Sequence, residues 1–110
     1  MNTPQFSPLS KNDLMEIQTY IADELQNQSA SVNTIKRILD KIRKLTTFPY
    51  MGAPLSSIVD VETDYRYLIC GNYNVFYRVE NDDIFIIRIL YNRRDFLKIL
   101  FGDITDEENK

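Results

Sequence analysis

Apolar residues in the first half of the chain recur every three to four positions, which is the spacing of an amphipathic helix. Two such stripes flank the polar cluster Asn27-Gln28-Ser29 and predict two helices joined as an antiparallel hairpin. Ser10 is predicted to be the N-cap of the first helix, with Asp13 closing a capping box, and the second helix should end before Pro49. The stripes consist of Leu14, Ile17, Ile21 and Leu25 in the first helix and Val32, Ile35, Ile38, Leu39, Ile42 and Leu45 in the second.

In the second half, apolar and polar residues alternate with the period of a β-strand. Residues 65–70 predict one strand and residues 72–79 its partner, joined by a two-residue turn at Gly71-Asn72. Residues 84–91 are the most apolar run and are expected to form the central strand. Residues 94–101 predict a short helix that packs on the sheet through Phe96, Leu97, Leu100 and Phe101.

The remaining segments complete the predicted architecture. Residues 5–9 are a weak strand candidate limited by two prolines, and residues 49–64, with two prolines and a glycine, predict a loop. The order β-α-α-β-β-β-α indicates an α+β fold, in which an N-terminal strand and a two-helix antiparallel hairpin pack on a small antiparallel sheet. We expect one domain over residues 1–101 and a disordered acidic tail over residues 102–110.

Composition narrows the possible chemistry. The 110 residues include no histidine, one cysteine (Cys70) and three glycines. This excludes histidine-based catalytic pairs and a Gly-rich phosphate loop and argues against a zinc site, so no metal or cofactor is expected. No apolar stretch approaches the ~20 residues of a membrane span, and the N-terminus lacks the features of a signal peptide. We therefore expect a cytoplasmic protein without a membrane partner.

Charge is distributed unevenly along the chain. The net charge is −3, but residues 29–49 carry +4 and residues 84–101 carry +3, whereas the last nine residues carry −3. A protein that grips nucleic acid mainly by neutralising phosphates is normally basic overall. This chain is not basic overall, so that mode of binding is not expected, but local basic faces remain possible.

Arginines in and after the predicted strands are the candidate functional residues. Arg66 and Arg78 are expected to share the sheet face away from the helices, and whether Arg88 joins them depends on strand register. Arg93 and Arg94 follow Tyr91 where the last strand ends. These cations could form an anion-binding surface. Alternatively, they could make weak surface ion pairs with Asp60, Glu62, Asp64 or Asp95.

The order and spacing of several short motifs resemble the RelE/ParE superfamily of bacterial type II toxins, over about residues 5–98. The matching motifs are Phe6-Ser7-Pro8 with Asp13-Leu14 and Ile17, then Leu45 through Pro49 to Gly52, Tyr65-Arg66, Tyr73 with Val75 to Val79, and Ile87 to Asp95. The resemblance implies a small cytoplasmic toxin that a cognate antitoxin wraps and neutralises, and that contacts DNA only indirectly, through the antitoxin.

Two activities occur in this superfamily, and the resemblance assigns different residues to each. RelE-like members cut mRNA on the ribosome without a metal. For that activity the resemblance makes Arg66, Arg78, Tyr91 and Arg93 the catalytic candidates. The basic cluster of that group is incomplete here, because Leu68 stands where a lysine is expected and Asn74 where an arginine is expected.

ParE-like members resemble this chain more closely, through the Tyr65-Arg66 pair, the Phe-Tyr-Arg-Val strand and the Arg-Arg-Asp ending. They poison DNA gyrase, and the resemblance makes Tyr91, Arg88, Arg93 and Arg94 the target-binding candidates, with Asp95 paired to one of the last two. A third hypothesis is an inactive member that is kept as an antitoxin-binding subunit. The sequence therefore leaves open whether the chain is an enzyme, with gyrase as the preferred target and the ribosome with mRNA as the alternative.

Overall fold

The structure is a computed structural model that describes residues 3–102. The predicted α+β class and the order of its helices and strands are confirmed, with one additional short strand, and a 3-10 turn after it, in the segment expected to be a loop. The predicted acidic tail lies outside the described residues from position 103 onward. In chain order the elements are β1 (Gln5–Phe6), α1 (Pro8–Thr19), a π-helical turn (Tyr20–Glu24), α2 (Gln28–Lys44), β2 (Ala53–Pro54, the addition), a 3-10 turn (Leu55–Ser57), β3 (Arg66–Cys70), β4 (Tyr73–Glu80), β5 (Asp83–Tyr91) and α3 (Phe96–Phe101).

Helix α1 begins earlier than the sequence predicted. Ser7, and not Ser10, is the N-cap, because its hydroxyl accepts a hydrogen bond from the Ser10 amide at 3.0 Å. Pro8 takes the first helical position, where its missing N–H and fixed φ suit the helix start. Asp13 consequently lies inside the helix and is buried, so the predicted capping box is wrong.

The helical hairpin buries most of its predicted apolar stripes but not all of them. The π-helical turn Tyr20–Glu24 changes the helical phase, so Ile21 stays buried while Leu25 is 56% exposed. Val32, near the start of α2, is 60% exposed, again contrary to the prediction. The Ser31 hydroxyl donates to the Gln18 carbonyl at 2.9 Å and joins the two helices.

The sheet has five strands in the order β1-β5-β4-β3-β2. It is mixed, because β1 runs parallel to β5 and every other pair is antiparallel. Strand β4 is the central one, so the expectation that residues 84–91 form the centre is wrong. The apolar character of β5 instead reflects burial: Ile86 belongs to the apolar cluster on one face of the sheet and Leu90 to the cluster on the other.

Both faces of the sheet are packed. The helical hairpin covers one face through a cluster that includes Ile38, Ile42 and Ile86. A smaller cluster on the other face contains Leu55, Phe76 and Leu90 and is covered by the loop before β3 and by α3. Helix α3 packs there through Phe96, Leu100 and Phe101, as predicted. The fourth residue in the cluster is Ile99 and not the predicted Leu97, and the helix begins at Phe96 and not at residue 94.

The register of the β3–β4 hairpin separates two of the candidate arginines. The predicted turn at Gly71-Asn72 is present, with Gly71 at φ 59° and Cys70 opposite Tyr73. This register places Arg66 opposite Tyr77, so Arg66 shares a face with Tyr77, and the next residue, Arg78, points to the opposite face. A two-residue turn pairs each even-numbered position of one strand with an odd-numbered position of the other, so two even-numbered residues on the two strands face opposite sides of the sheet. The expectation that Arg66 and Arg78 share a face is therefore wrong.

Candidate functional site

A groove with a volume of about 740 Å³ lies between the helical hairpin and the end of the sheet. Three of its large apolar or aromatic side chains are well exposed: Tyr20 at 53%, Leu25 at 56% and Tyr91 at 42%. The π-helical turn contributes to this groove, because Tyr20 and Leu25 lie at its two ends. The other lining residues are Asp13, Glu16, Ile17, Ile21, Ala30, Thr34, Asn72, Tyr73, Ile89, Leu90 and Arg94.

A buried ion pair lies beside the groove. The two carboxylate oxygens of Asp13 accept hydrogen bonds from Nε and Nη2 of Arg88, both at 2.8 Å, and Oδ2 also accepts from the Ile89 amide at 2.9 Å. The Asp13 side chain is 4% exposed and that of Arg88 is 18% exposed. The hydrogen bond with Asp13 raises the pKa of Arg88 above its ordinary value. Arg88 is therefore already neutralised inside the protein.

Two tyrosines lie side by side at the sheet end of the groove. Tyr73 and Tyr91 are direct partners in the β4–β5 register, and their rings meet edge to face at 5.9 Å between centroids. Burial raises the pKa of Tyr73, and the neighbouring phenols of Tyr91 and Tyr20 raise it further. At neutral pH Tyr73 is therefore a neutral hydroxyl that can exchange hydrogen bonds with a ligand, and not a base.

Arg66 is used within the fold, where it holds the loop between α2 and β2. Its guanidinium donates to the Gly52 carbonyl at 2.6 and 3.1 Å and to the Tyr50 carbonyl at 3.3 Å. It also lies 5.0 Å from the centroid of the Tyr50 ring. The same loop is held by Tyr77, whose hydroxyl donates to the Pro49 carbonyl at 2.8 Å and accepts from the Gly52 amide at 2.9 Å.

Arg78 also has internal partners. It forms an ion pair with Glu80 in the same strand, and its guanidinium lies 4.6 Å from the centroid of the Phe85 ring. The Arg78 side chain is 32% exposed, and the hydrogen bond that it donates to Glu80 raises its pKa. A cation paired in this way is a weaker ligand for an incoming anion than an unpaired one.

Arg93 and Arg94 are different, because both are exposed in the turn after β5. The backbone amide of Arg94 donates to the Tyr91 carbonyl at 2.9 Å, which fixes the turn. Within residues 3–102 neither side chain forms an ion pair or a hydrogen bond. Asp95 was expected to pair with one of them, but it caps α3 by accepting from the Lys98 amide at 3.3 Å.

The structure therefore brings Tyr91 and Arg94 together at the groove, with Arg93 next in the chain. It does not gather the four residues considered for RNA cleavage. Arg66 lies opposite Tyr77, which is four residues along β4 from the partner of Tyr91, or about 13 Å at the rise of a strand. The catalytic role of Arg66, Arg78, Tyr91 and Arg93 stays a prediction.

Sequence reasoning missed Asp13 as the partner of Arg88 and missed Tyr20 and Leu25 as groove residues. One signal for Asp13 was present. Asp13 lies four residues before Ile17 and so on the same face of α1, while Arg88 is the only charged residue in the strand run 84–91. A single acid on an apolar helix face and a single arginine in an apolar strand together indicate an ion pair between the two. No comparable signal marks the π-helical turn.

Comparison with known proteins agrees with this geometry. The family model described as ParE toxin of type II toxin-antitoxin system, parDE, matches residues 5–96. The chain belongs to the ParE toxin family. Among solved structures, a chain of the chromosomal ParDE TA system from P. aeruginosa superposes on this member of the ParE family with a TM-score of 0.68 and 20% sequence identity. The match covers 83% of this chain and 96% of that one, and it shows that the fold is shared. A search of curated proteins gave no significant match.

Two further properties concern the described part of this ParE family member. None of the helices between residues 3 and 102 has the length and hydropathy needed to cross a membrane. The same residues contain no group of three or more histidine, cysteine, aspartate or glutamate side chains placed to hold a metal ion.

Proposed function

We propose that this ParE family toxin arrests growth by binding DNA gyrase as a protein ligand, without catalysing a reaction, and that a cognate antitoxin neutralises it. The observation that carries the proposal is the contrast among the five candidate arginines. Arg66, Arg78 and Arg88 are held by internal partners, whereas Arg93 and Arg94 are exposed beside the groove and unpaired within residues 3–102.

This contrast favours binding over RNA cleavage. Stabilising a phosphoryl transition state requires several donors that converge on one point in a preorganised site. Here Arg66 and Arg78 lie on opposite faces of the sheet. Along β4, Arg66 lies opposite Tyr77, whereas Tyr91 lies opposite Tyr73 at the start of the strand. Arg93, Arg94 and Tyr91 together instead resemble an interface anchor, since arginine and tyrosine are enriched among the residues that dominate binding energy.

The groove is the surface best suited to the antitoxin. Ile17, Ile21 and Leu25 supply an apolar wall, and Glu16 and Arg94 supply one charge of each sign. Such a groove fits an amphipathic segment of a partner protein. A segment bound there would cover Tyr91 and Arg94, so neutralisation would follow from direct occlusion of the proposed target-binding residues.

The test is a double substitution, Arg93→Ala with Arg94→Ala, assayed by induced expression in cells and by gyrase supercoiling with purified protein. We expect the wild-type chain to arrest growth and to inhibit supercoiling. The double variant should lose at least about 10-fold in inhibition, since truncating a binding hot spot, a class in which arginine is enriched, costs about 2 kcal/mol or more. The fold should be unchanged, because neither side chain has a partner within residues 3–102.

The matched control is Lys36→Ala with Arg37→Ala, which removes two adjacent exposed cations from α2. This control should retain full inhibition. Equal loss in both double variants would mean that only net charge matters. Growth arrest with normal supercoiling and with mRNA cut on the ribosome, read by primer extension, would replace gyrase by the ribosome. No growth arrest by the wild-type chain would indicate an inactive antitoxin-binding subunit.

A further inference from the structure

The segment between α2 and β3 contains a long uncharged stretch. Residues 46–59 carry no charged side chain, in a chain of which 26% is charged. Several of its apolar side chains nevertheless face solvent: Phe48 is 61% exposed, Tyr50 64%, Met51 40% and Ile58 54%. Single exposed apolar residues are ordinary, but three within four consecutive positions, Phe48 to Met51, form a patch that requires an explanation.

The first half of this stretch, residues 46–52, is tightly held. The amides of Thr46, Thr47 and Phe48 bond back to carbonyls of the last turn of α2, and the Met51 amide bonds to the Phe48 carbonyl at 3.1 Å. Within residues 49–52, the Arg66 guanidinium donates to the Tyr50 and Gly52 carbonyls. The Tyr77 hydroxyl donates to the Pro49 carbonyl and accepts from the Gly52 amide. We call residues 46–52 the display loop.

Gly52 explains how the display loop is held so closely. A Cβ at this position would lie 2.5 Å from the Tyr67 carbonyl oxygen and 2.7 Å from the Tyr77 hydroxyl, so only glycine allows the contact. The internal polar groups thus fix the backbone and leave Phe48, Tyr50 and Met51 pointing away from it. A loop whose backbone is already fixed binds a partner with a smaller entropy cost than a mobile loop.

The composition of the patch favours a protein partner over a nucleic acid. Interface centres are depleted of charge and enriched in tyrosine, phenylalanine, methionine and arginine, which describes the display loop with its supporting Arg66. A nucleic-acid site would need free cations beside the rings. Here Arg66 is engaged by two carbonyl groups and lies against the Tyr50 ring, and the loop has no charged side chain.

We propose that the display loop is a second contact surface for the cellular protein target of this toxin, a surface with an apolar pocket that accepts Phe48, Tyr50 and Met51. The inference rests on the proposed function, because it requires that the chain bind a target protein. A stable symmetric dimer buries about 800 Å² per partner, or some 20–30 residues, and three side chains cannot supply that area. The proposed antitoxin groove lies at the other end of the sheet, where Tyr73 and Tyr91 are paired.

The test is a triple surface variant, Phe48→Gln with Tyr50→Gln and Met51→Gln, beside a matched control with Leu9→Gln, Met15→Gln and Val32→Gln. All six side chains are at least 40% exposed, so both variants should fold, which thermal unfolding by circular dichroism would verify. We expect the display-loop variant to lose at least 10-fold in growth arrest, scored as colony-forming units after induction. The control variant should arrest growth like the wild type, and both should bind purified antitoxin with wild-type affinity.

Four results would contradict the inference. Undiminished growth arrest by the folded display-loop variant would overturn it directly, and loss of antitoxin binding would assign the loop to the antitoxin instead. A wild-type dimer that the variant dissociates, measured by light scattering, would assign the loop to self-association. Equal loss in the control variant would show a general effect of exposed apolar residues. The gyrase proposal fails on a different result: the wild-type chain would arrest growth without inhibiting supercoiling.

Discussion

At the scale of single residues, the Asp13–Arg88 pair shows how one buried acid joins helix α1 to strand β5. The Asp13 carboxylate accepts hydrogen bonds from the guanidinium through both oxygens and also from the Ile89 amide on the outer edge of β5. A buried ion pair of this kind contributes little net stability relative to apolar residues of the same shape. Removing one partner is costly, however, because the other charge is left without compensation.

We therefore predict that Asp13→Asn lowers the free energy of unfolding by about 3–5 kcal/mol, as is typical when one partner of a buried pair is removed. Arg88→Met should also destabilise the fold, because Asp13 would keep only its bond to the Ile89 amide. The double variant should lose clearly less than the sum of the two single losses, since neither charge is then left alone. Urea denaturation of all four proteins measures this coupling. Strictly additive losses would show that the two side chains do not depend on each other.

At the scale of elements, the sheet protects its own edges. Strand β1 pairs with only two residues of β5, and side chains hydrogen-bond to backbone groups of β5 that follow them. The Ser7 hydroxyl donates to the Ile87 carbonyl at 2.8 Å, and the Asp13 carboxylate accepts from the Ile89 amide. At the other edge, where β2 pairs with only two residues of β3, the Lys41 ammonium donates to the Ile69 carbonyl at 2.8 Å. Such side chains discourage strand addition. Partners are therefore expected to bind side-chain surfaces, such as the groove and the display loop.

Glycine positions give a prediction at the same scale. Gly71→Ala should cost about 1 kcal/mol of unfolding free energy, the usual penalty for a side chain in the left-handed region, because φ is 59° and nothing lies within 4 Å of an added Cβ. Gly52→Ala should cost more, because its Cβ would displace the Tyr67 carbonyl or the Tyr77 hydroxyl. Urea midpoints of the two variants decide the order. The reverse order would mean that the display loop shifts freely, which would contradict its rigid attachment.

The elements that the sequence predicted well are those fixed by local chemistry. The Gly71-Asn72 turn needs only a glycine that tolerates positive φ, and it then sets the register of the whole β3–β4 hairpin. The family resemblance also came from local motifs in a fixed order. These features depend on neighbours in the sequence, so a single chain reveals them.

Features that depend on distant partners were mostly missed. Ser7 and Ser10 are both residue types that cap helices; Pro8, which suits the first helical position, is the local signal for Ser7, and the contact of Ser7 with β5 and the burial of Asp13 agree with it. The bulge in β5 is also a tertiary feature: it leaves Ile87 as an extra residue between the partners of Phe76 and Tyr77. The partners of Arg66 and Arg88 were not among the acids considered from the sequence, because they lie 14 and 75 residues away in the chain.

At the scale of the whole molecule, the two proposed surfaces lie at opposite ends of the sheet. The groove beside Tyr73 and Tyr91 holds the proposed antitoxin site and adjoins Arg93 and Arg94, whereas the display loop lies beside Arg66 and Tyr77. A partner in the groove would cover one part of the target-binding surface and leave the other part exposed. Toxicity and neutralisation should therefore be separable by substitution.

Leu25 is the residue that tests this separation. Its side chain is 56% exposed and lines the groove, and it is not one of the proposed target-binding residues, so Leu25→Asp should leave both the fold and growth arrest intact. A carboxylate in the apolar wall should weaken antitoxin binding at least about 10-fold, since a charge buried without a partner costs well over 1 kcal/mol. Calorimetric titration with antitoxin measures the loss of binding, and co-expression of the antitoxin measures whether it still rescues growth.

Val32→Asp is the matched control, because Val32 is 60% exposed on α2 and does not line the groove. This variant should be rescued normally. Full rescue of Leu25→Asp would place the antitoxin elsewhere on the molecule.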